Sequence, residues 1–336
     1  MTLESWAILL IWSFLFIYSI LGSIDFGSGF WAMVYFDRNN QADQIANRFL
    51  SPSWEVSNTF LVLLVVAFIG FFPLAAYMLA TVLVVPVSLI LLLIAIRSTF
   101  MVFSYSMAEK QKTFRLVSGI TGILVPALLI SALPVTEGGF VKITDNTETF
   151  LIGKWLTSPS VYMYLLFGLT SALFISSLFL ADYAKESGSL SAYQVYRKNA
   201  QWLGPTALVI AIITLLATEP EAGWFIDNLI EQVHWFLLSL LAFLFCHLVL
   251  WWKEGSPRLA FLGVIAQYGF ASFGYGFAHL PYIVYPYLTV SEGFTGESAF
   301  YALLWVYGIG LAILLPGFYL FWRLFLKDRR YVRRNK

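Results

Sequence analysis

Asp25 places a carboxylate inside a helix-length apolar stretch. It sits in Gly22-Ser23-Ile24-Asp25-Phe26-Gly27-Ser28-Gly29, between the apolar runs Trp6–Leu21 and Phe30–Phe36. An ionisable group there costs about 2.5–3.5 kcal/mol on insertion scales unless it faces protein or water. Glycines let a second helix come close enough to supply that protein, so Gly22, Gly27 and Gly29 are the candidate helix-contact positions. At roughly 100° per residue, Ser19, Gly22, Asp25 and Gly29 share one stripe. Two further charges fall in or beside apolar runs: Glu55 at the start of the second run, and Arg97 within the third. An unpaired buried guanidinium is so unfavourable that Arg97 is expected to hold Asp25 or Glu55. The chemistry open to such acids is proton exchange, because burial raises a carboxylate's affinity for protons while a nearby Arg lowers it. Glu55, Asn58 and Thr59 give the second run a short polar face at i, i+3 and i+4. Trp54 is expected to mark the membrane interface.

The elements that must position these groups are membrane helices. Hydrophobic residues make up 60% of the 336 and charged residues 12%, which excludes a soluble domain of this length. Apolar runs at 5–36, 54–72, 74–105, 115–134, 160–181, 200–218, 230–252, 257–280 and 299–326 approach or exceed the ~20 residues a bilayer requires. They are continuously apolar, which favours helices over a barrel. The fold class is thus an all-α polytopic membrane protein with about nine transmembrane helices in one domain, residues 1–336.

Sixteen of the 20 Lys and Arg fall in loops of one side, from Arg38 to the cluster ending at Lys336, against Lys142 and Lys154 on the other. That bias predicts an outside N-terminus and a cytoplasmic C-terminus, which an odd number of spans satisfies. On this topology Asp25 lies roughly 30 Å into the first helix and Arg97 about 12 Å below the cytoplasmic surface. Asp25, Glu55 and Arg97 then share the cytoplasmic half of three consecutive helices. The connections 37–53 and 182–199 read as polar cytoplasmic loops, the second with a possible amphipathic extension. The loop 135–159 is too short to fold alone.

Other chemistries are poorly supported. The single cysteine, Cys246, excludes an intrachain disulfide or a thiolate cluster within this chain. His234 and His247 are about 220° apart around one helix and ~20 Å along it, so they cannot sandwich one haem. His279, before Leu280-Pro281, is expected to bond locally. No metal site is expected. Basic residues sit in short loops without forming a folded basic face, so no nucleic acid is expected.

These motifs, taken in order, resemble subunit II of the cytochrome bd-type quinol oxidases across nearly the whole chain. Ile24-Asp25-Phe26-Gly27-Ser28-Gly29 is similar to that family's Phe-Asp-(Leu/Met/Phe)-Gly-x-Gly, and Pro52-Ser53-Trp54-Glu55 to its Pro-x-Trp-(Asp/Glu). Pro73 in Phe71-Phe72-Pro73, Arg97, Pro126 in Leu124-Val125-Pro126, the His279-Leu280-Pro281-Tyr282 turn and the Arg-rich C-terminus keep the order. Two positions depart. Gly22-Ser23 stands where the family commonly has Asp-Gly. Val56-Ser57-Asn58-Thr59-Phe60 displaces the family's amide by one position.

The resemblance implies two four-helix bundles plus one peripheral helix, in a bacterial plasma membrane. It implies a heterodimer with a homologous subunit I that carries two haem b and one haem d, with no cofactor ligated by this chain. A small single-helix subunit is a further partner left open. The complex would oxidise quinol and reduce O2 to water with cytoplasmic protons. Asp25 and Glu55 would serve a proton pathway, with Arg97 as their electrostatic partner and no catalytic residue in this chain. Two alternatives remain: a purely structural subunit of that oxidase, and a proton- or sodium-coupled secondary transporter. The second is disfavoured by acids lying towards one face and by the lack of a visible repeat.

Overall fold

The structure, a computed structural model, describes residues 2–37, 40–104, 111–144, 147–252, 255–321 and 323. The chain opens with α1 (Leu3–Val34), and α2 (Asn40–Phe71) is the next helix. α3 (Pro73–Val82) and α4 (Val84–Ser104) follow, then α5 (Gln111–Ile130) and the short α6 (Leu133–Glu137). A hairpin of β1 (Val141–Thr144) and β2 (Thr147–Phe150) and the turn of helix α7 (Ile152–Thr157) lead to α8 (Pro159–Glu186). The second half continues through α9 (Leu190–Thr218), α10 (Gly223–Glu231), α11 (Val233–Trp251) and α12 (Pro257–His279). After β3 (Tyr282–Val284), β4 (Leu288–Thr289) and α13 (Val290–Gly293), α14 (Glu297–Phe321) closes the described fold. Among the described residues, nine helices are long and apolar enough to cross a membrane. Pro73, Pro159 and Pro257 start three of the helices, where the missing N–H is no loss.

α1, α2, α4 and α5 pack as one group, and α8, α9, α11 and α12 as a second. α1 and α8 meet at the seam between them, and α14 lies against α2. The α14 contact is aromatic: Phe318 stacks on Phe60, and Phe300 packs on Phe71. The end of the bundle where α1 begins is called here the N-terminal face. It is closed by α6, the two hairpins, α7, α10 and α13, stitched by the Tyr285 amide to the Thr136 carbonyl (2.9 Å) and the Thr295 amide to the Phe71 carbonyl (3.0 Å). At the opposite face, the Arg197 guanidinium donates to the Leu250 and Trp252 carbonyls (2.9 and 2.7 Å). This satisfies acceptors that the end of α11 leaves open.

Three connections differ from expectation. Residues 40–53, expected as a polar loop, form the first half of α2. Ala42, Ile45, Ala46 and Phe49 recur at helical spacing and are buried in a cluster with residues of α8 and α9. Phe49 packs on Phe179 at 4.5 Å, and the Tyr196 hydroxyl donates to the Ala42 carbonyl at 2.7 Å. Residues 182–199 likewise continue α8 and start α9, separated by a turn at Gly188 with φ +79°, a conformation that costs glycine little. The run 74–105 is divided at Leu83, where Pro86 has no N–H to offer the Val82 carbonyl. The Arg-rich C-terminus lies outside the described residues, apart from Arg323.

Candidate functional site

α1 is gripped at the level of Asp25 from two sides. A Cβ built at Gly27 would lie 2.5 Å from the Ser176 Cβ and 3.0 Å from the Ala172 carbonyl oxygen of α8. One at Gly29 would lie 2.6 Å from the Ser118 Oγ of α5, and one at Gly122 of α5 would strike the Phe26 carbonyl. Backbones this close leave room for no side chain, which is why small residues face each other here. Gly22 differs. A Cβ there would meet only Phe26 and Tyr18 of its own helix, at ordinary contact distance. Of the stripe Gly22, Asp25 and Gly29, only the Gly29 end meets a neighbouring helix at close approach, which falls at Gly27, Gly29 and Gly122.

Inside this grip Asp25 is 2% exposed and Arg97 of α4 is 4% exposed. The Arg97 Nη1 donates to Asp25 Oδ2 at 2.8 Å, and Nη2 donates to the Asp25 backbone carbonyl at 3.0 Å. The guanidinium also lies over the Phe26 ring, 4.4 Å from its centroid, a cation–π contact. From α2, the Ser57 hydroxyl lies within reach of Asp25 Oδ2 (3.2 Å) and of the Trp54 carbonyl (3.1 Å). One carboxylate thus gathers α1, α2 and α4. Removing a single partner from such a buried pair costs about 3–5 kcal/mol, because an uncompensated charge stays behind.

A small crevice borders the pair, lined by Phe26, Trp54, Asn58, Ile94, Ser98 and Met101 together with Asp25 and Arg97. Its free room is about that of one water molecule. Glu55 does not join the ion pair: it is exposed, one turn of α2 before Asn58. Its carbonyl accepts from the Thr59 hydroxyl at 2.9 Å. So Arg97 takes Asp25 rather than Glu55. Trp54, expected only as an interface marker, forms part of the crevice wall. Ser57 and Ser98 were not singled out in the sequence. The i+3 and i+4 steps from Trp54 and Ile94 were the available signals for them.

Two of the three histidines are too tightly enclosed for a haem. The His247 ring is wedged between Phe174 (5.9 Å) and Phe243 (4.2 Å), and a Cβ on Gly204 would lie 2.7 Å from its Nε2. A macrocycle has no room at that nitrogen. His279 is enclosed by Trp224, Phe225 and Tyr275, with Nε2 meeting the Ile283 carbonyl at 3.4 Å. His234 lies exposed at the start of α11 beside Trp235. Among the described residues, no group of three or more His, Cys, Asp or Glu could hold a metal ion.

A bundle of apolar helices with a buried ion pair joining α1 and α4 defines the class: an all-α, multi-pass membrane subunit. The family described as cytochrome bd terminal oxidase subunit II matches residues 3–325. A Bacillus subtilis (strain 168) protein named cytochrome bd menaquinol oxidase subunit II is 44% identical over 98% of this chain and 97% of its own length. A chain of the bd oxidase from Geobacillus thermodenitrificans superposes with a TM-score of 0.82 at 35% identity, covering 98% of this chain and all of that one. The chain belongs to the cytochrome bd terminal oxidase subunit II family. It is a multi-pass protein of the bacterial plasma membrane, and acts with a subunit I in a respiratory quinol oxidase whose family uses haems. The secondary-transporter alternative falls with that assignment.

Proposed function

We propose that this chain is the haem-free member of a heterodimer with subunit I. It forms a single transmembrane domain that lets cytoplasmic protons approach the oxygen reduced in its partner. The bias of Lys and Arg towards the loops of one side in the sequence supports an outside N-terminus and a cytoplasmic C-terminus. The crowded surroundings of His247 and His279 support placing the two b-type and one d-type haems in subunit I. The name of the Bacillus relative supports a menaquinol as the electron donor of the complex.

The observation that carries the proton reading is the buried Asp25–Arg97 pair opening on a water-sized crevice between α2 and α4. Exposed Glu55 collects a proton at the surface. Asn58 and Ser98 line its way, and Asp25 accepts it as Arg97 Nη1 withdraws from Oδ2. Replacing Glu55 by Gln and Asp25 by Asn tests this. Slowed O2 consumption and proton uptake, with the haem complement intact, is the expected result. Fully assembled variants with wild-type rates would defeat it. A purely structural role is the second reading. It is favoured by the Arg97 bond to a main-chain carbonyl, which fixes helix α4 to α1 whether or not protons pass.

A further inference from the structure

A second buried acid lies at the N-terminal face, far along the bundle from Asp25. Glu137 ends α6 and is 1% exposed. Its Oε1 accepts from two phenols, Tyr275 of α12 (2.6 Å) and Tyr164 of α8. Its Oε2 has no hydrogen-bond partner among the described residues. The Trp224 indole N–H of α10 donates to the Glu137 carbonyl (2.8 Å), fixing the backbone. No cation bonds the carboxyl among the described residues. Lys154 of α7 gives its Nζ to the Gly139 carbonyl (2.9 Å) and the Phe140 ring. His279 of α12 stacks on Tyr275 and turns Nε2 to the Ile283 carbonyl. The charge that acts on Glu137 has its own sign: Glu221, in the turn between α9 and α10. Glu221 is half-buried, and its carboxylate accepts from the Ser158 hydroxyl (2.7 and 2.8 Å) and from Ser160.

An ionised Glu137 would keep a charge out of water with neutral donors on one oxygen, nothing on the other and a like charge nearby. Burying an uncompensated carboxylate is strongly unfavourable, and neutralisation is the usual escape. A proton on Oε2 removes the charge while Oε1 keeps both phenol bonds. From this arrangement we infer that Glu137 is a proton-binding site, holding one exchangeable proton close to the N-terminal face. The ligand is the proton itself, and Tyr164 and Tyr275 are positioning residues that orient the carboxyl. The site is independent of the proton reading of Asp25. Which aqueous phase it serves rests on the proposed orientation.

Infrared difference spectroscopy of the purified two-subunit complex, recorded on exchange from H2O to D2O at neutral pH, tests this. The wild type is expected to show an exchange-sensitive C=O stretch of an un-ionised carboxylic acid. That band is lost in Glu137→Gln and returns, shifted, in Glu137→Asp. In Tyr275→Phe it moves in frequency, since one phenol bond to the carbonyl is gone. A spectrum of Glu137→Gln superimposable on the wild type overturns the inference. Should Glu137→Gln fail to assemble, Tyr275→Phe decides, and an unmoved carboxylic band there overturns it equally. The haem absorption of each preparation separates loss of assembly from loss of the proton.

Discussion

Two buried carboxylates sit near opposite ends of the same bundle, and their partners differ in kind. Asp25 is held by a guanidinium that reaches both its side chain and its own carbonyl. Glu137 is held by two phenols, with a second acid rather than a cation as its charged neighbour. Burial alone therefore does not decide what a membrane carboxyl does. An Arg partner stabilises the ion, so a proton must compete with the guanidinium for it, whereas neutral donors beside a like charge leave the proton as the favoured counter-ion.

The largest test of this contrast is Arg97→Ala. It leaves Asp25 without its cation and is expected to destabilise the complex by about 3–5 kcal/mol, read as thermal loss of haem-bearing assembly. Arg97→Lys should recover only part, because an ammonium cannot reproduce a planar fork serving two acceptors. Arg97→Ala preparations as stable as wild type would erase the difference between the two acids.

Gly27→Ala ranks next. It pushes α1 off Ser176 and the Ala172 carbonyl and should cost about 1–3 kcal/mol, as overpacking does. Gly22→Ala, which meets only its own helix, should be near neutral. Equal melting of the two variants would show that the grip on Asp25 is not where the backbones approach.

Tyr275→Phe removes one neutral hydrogen bond and should cost about 1 kcal/mol, clearly less than any change at Arg97. A loss as large as that of Arg97→Ala would mean that Glu137 carries its charge after all.

The smallest effect belongs to a third carboxylate, exposed at the N-terminal face. Glu292 closes a capping box with Thr289. The Thr289 hydroxyl and then its amide hold the Glu292 carboxyl below the usual carboxylate range. The stability it lends α13 is full above the ordinary glutamate range and is lost as pH falls through the lowered value. Amide protection factors at residues 290–293, corrected for intrinsic exchange, should therefore fall only at acid pH, and a Glu292→Gln variant should lose that dependence.

Much of this was legible in the sequence. Nine apolar runs correspond to the nine helices that, among the described residues, are long and apolar enough to cross a membrane, and charges inside apolar runs stand out. Asp25 and Arg97 were visible for that reason, and their pairing follows from how costly each is alone. The grip itself was less legible. Angular arithmetic on α1 put Gly22 and Gly29 on one stripe, yet only Gly29 of the two meets a neighbouring helix. Which glycine is used depends on where α5 and α8 cross, and one helix does not encode that. The first half of α2 looked like a loop because Asn, Gln, Asp and Arg surround its narrow stripe of Ala42, Ile45, Ala46 and Phe49. Glu137 was hidden most completely. It stood in a polar connection where acids are ordinary, and its partners Tyr164 and Tyr275 looked like common interface aromatics. Nothing in their spacing announces that residues 111 positions apart share one carboxyl oxygen.

The bond from Arg97 Nη2 to the Asp25 main-chain carbonyl has a consequence of its own. A peptide carbonyl has no proton to gain at physiological pH, so this attachment persists whatever happens to the carboxyl. Neutralising Asp25 frees one arm of the guanidinium and leaves the other pinned. On the proposed proton pathway the cation would turn about that fixed pivot, like a latch whose pin stays in the frame.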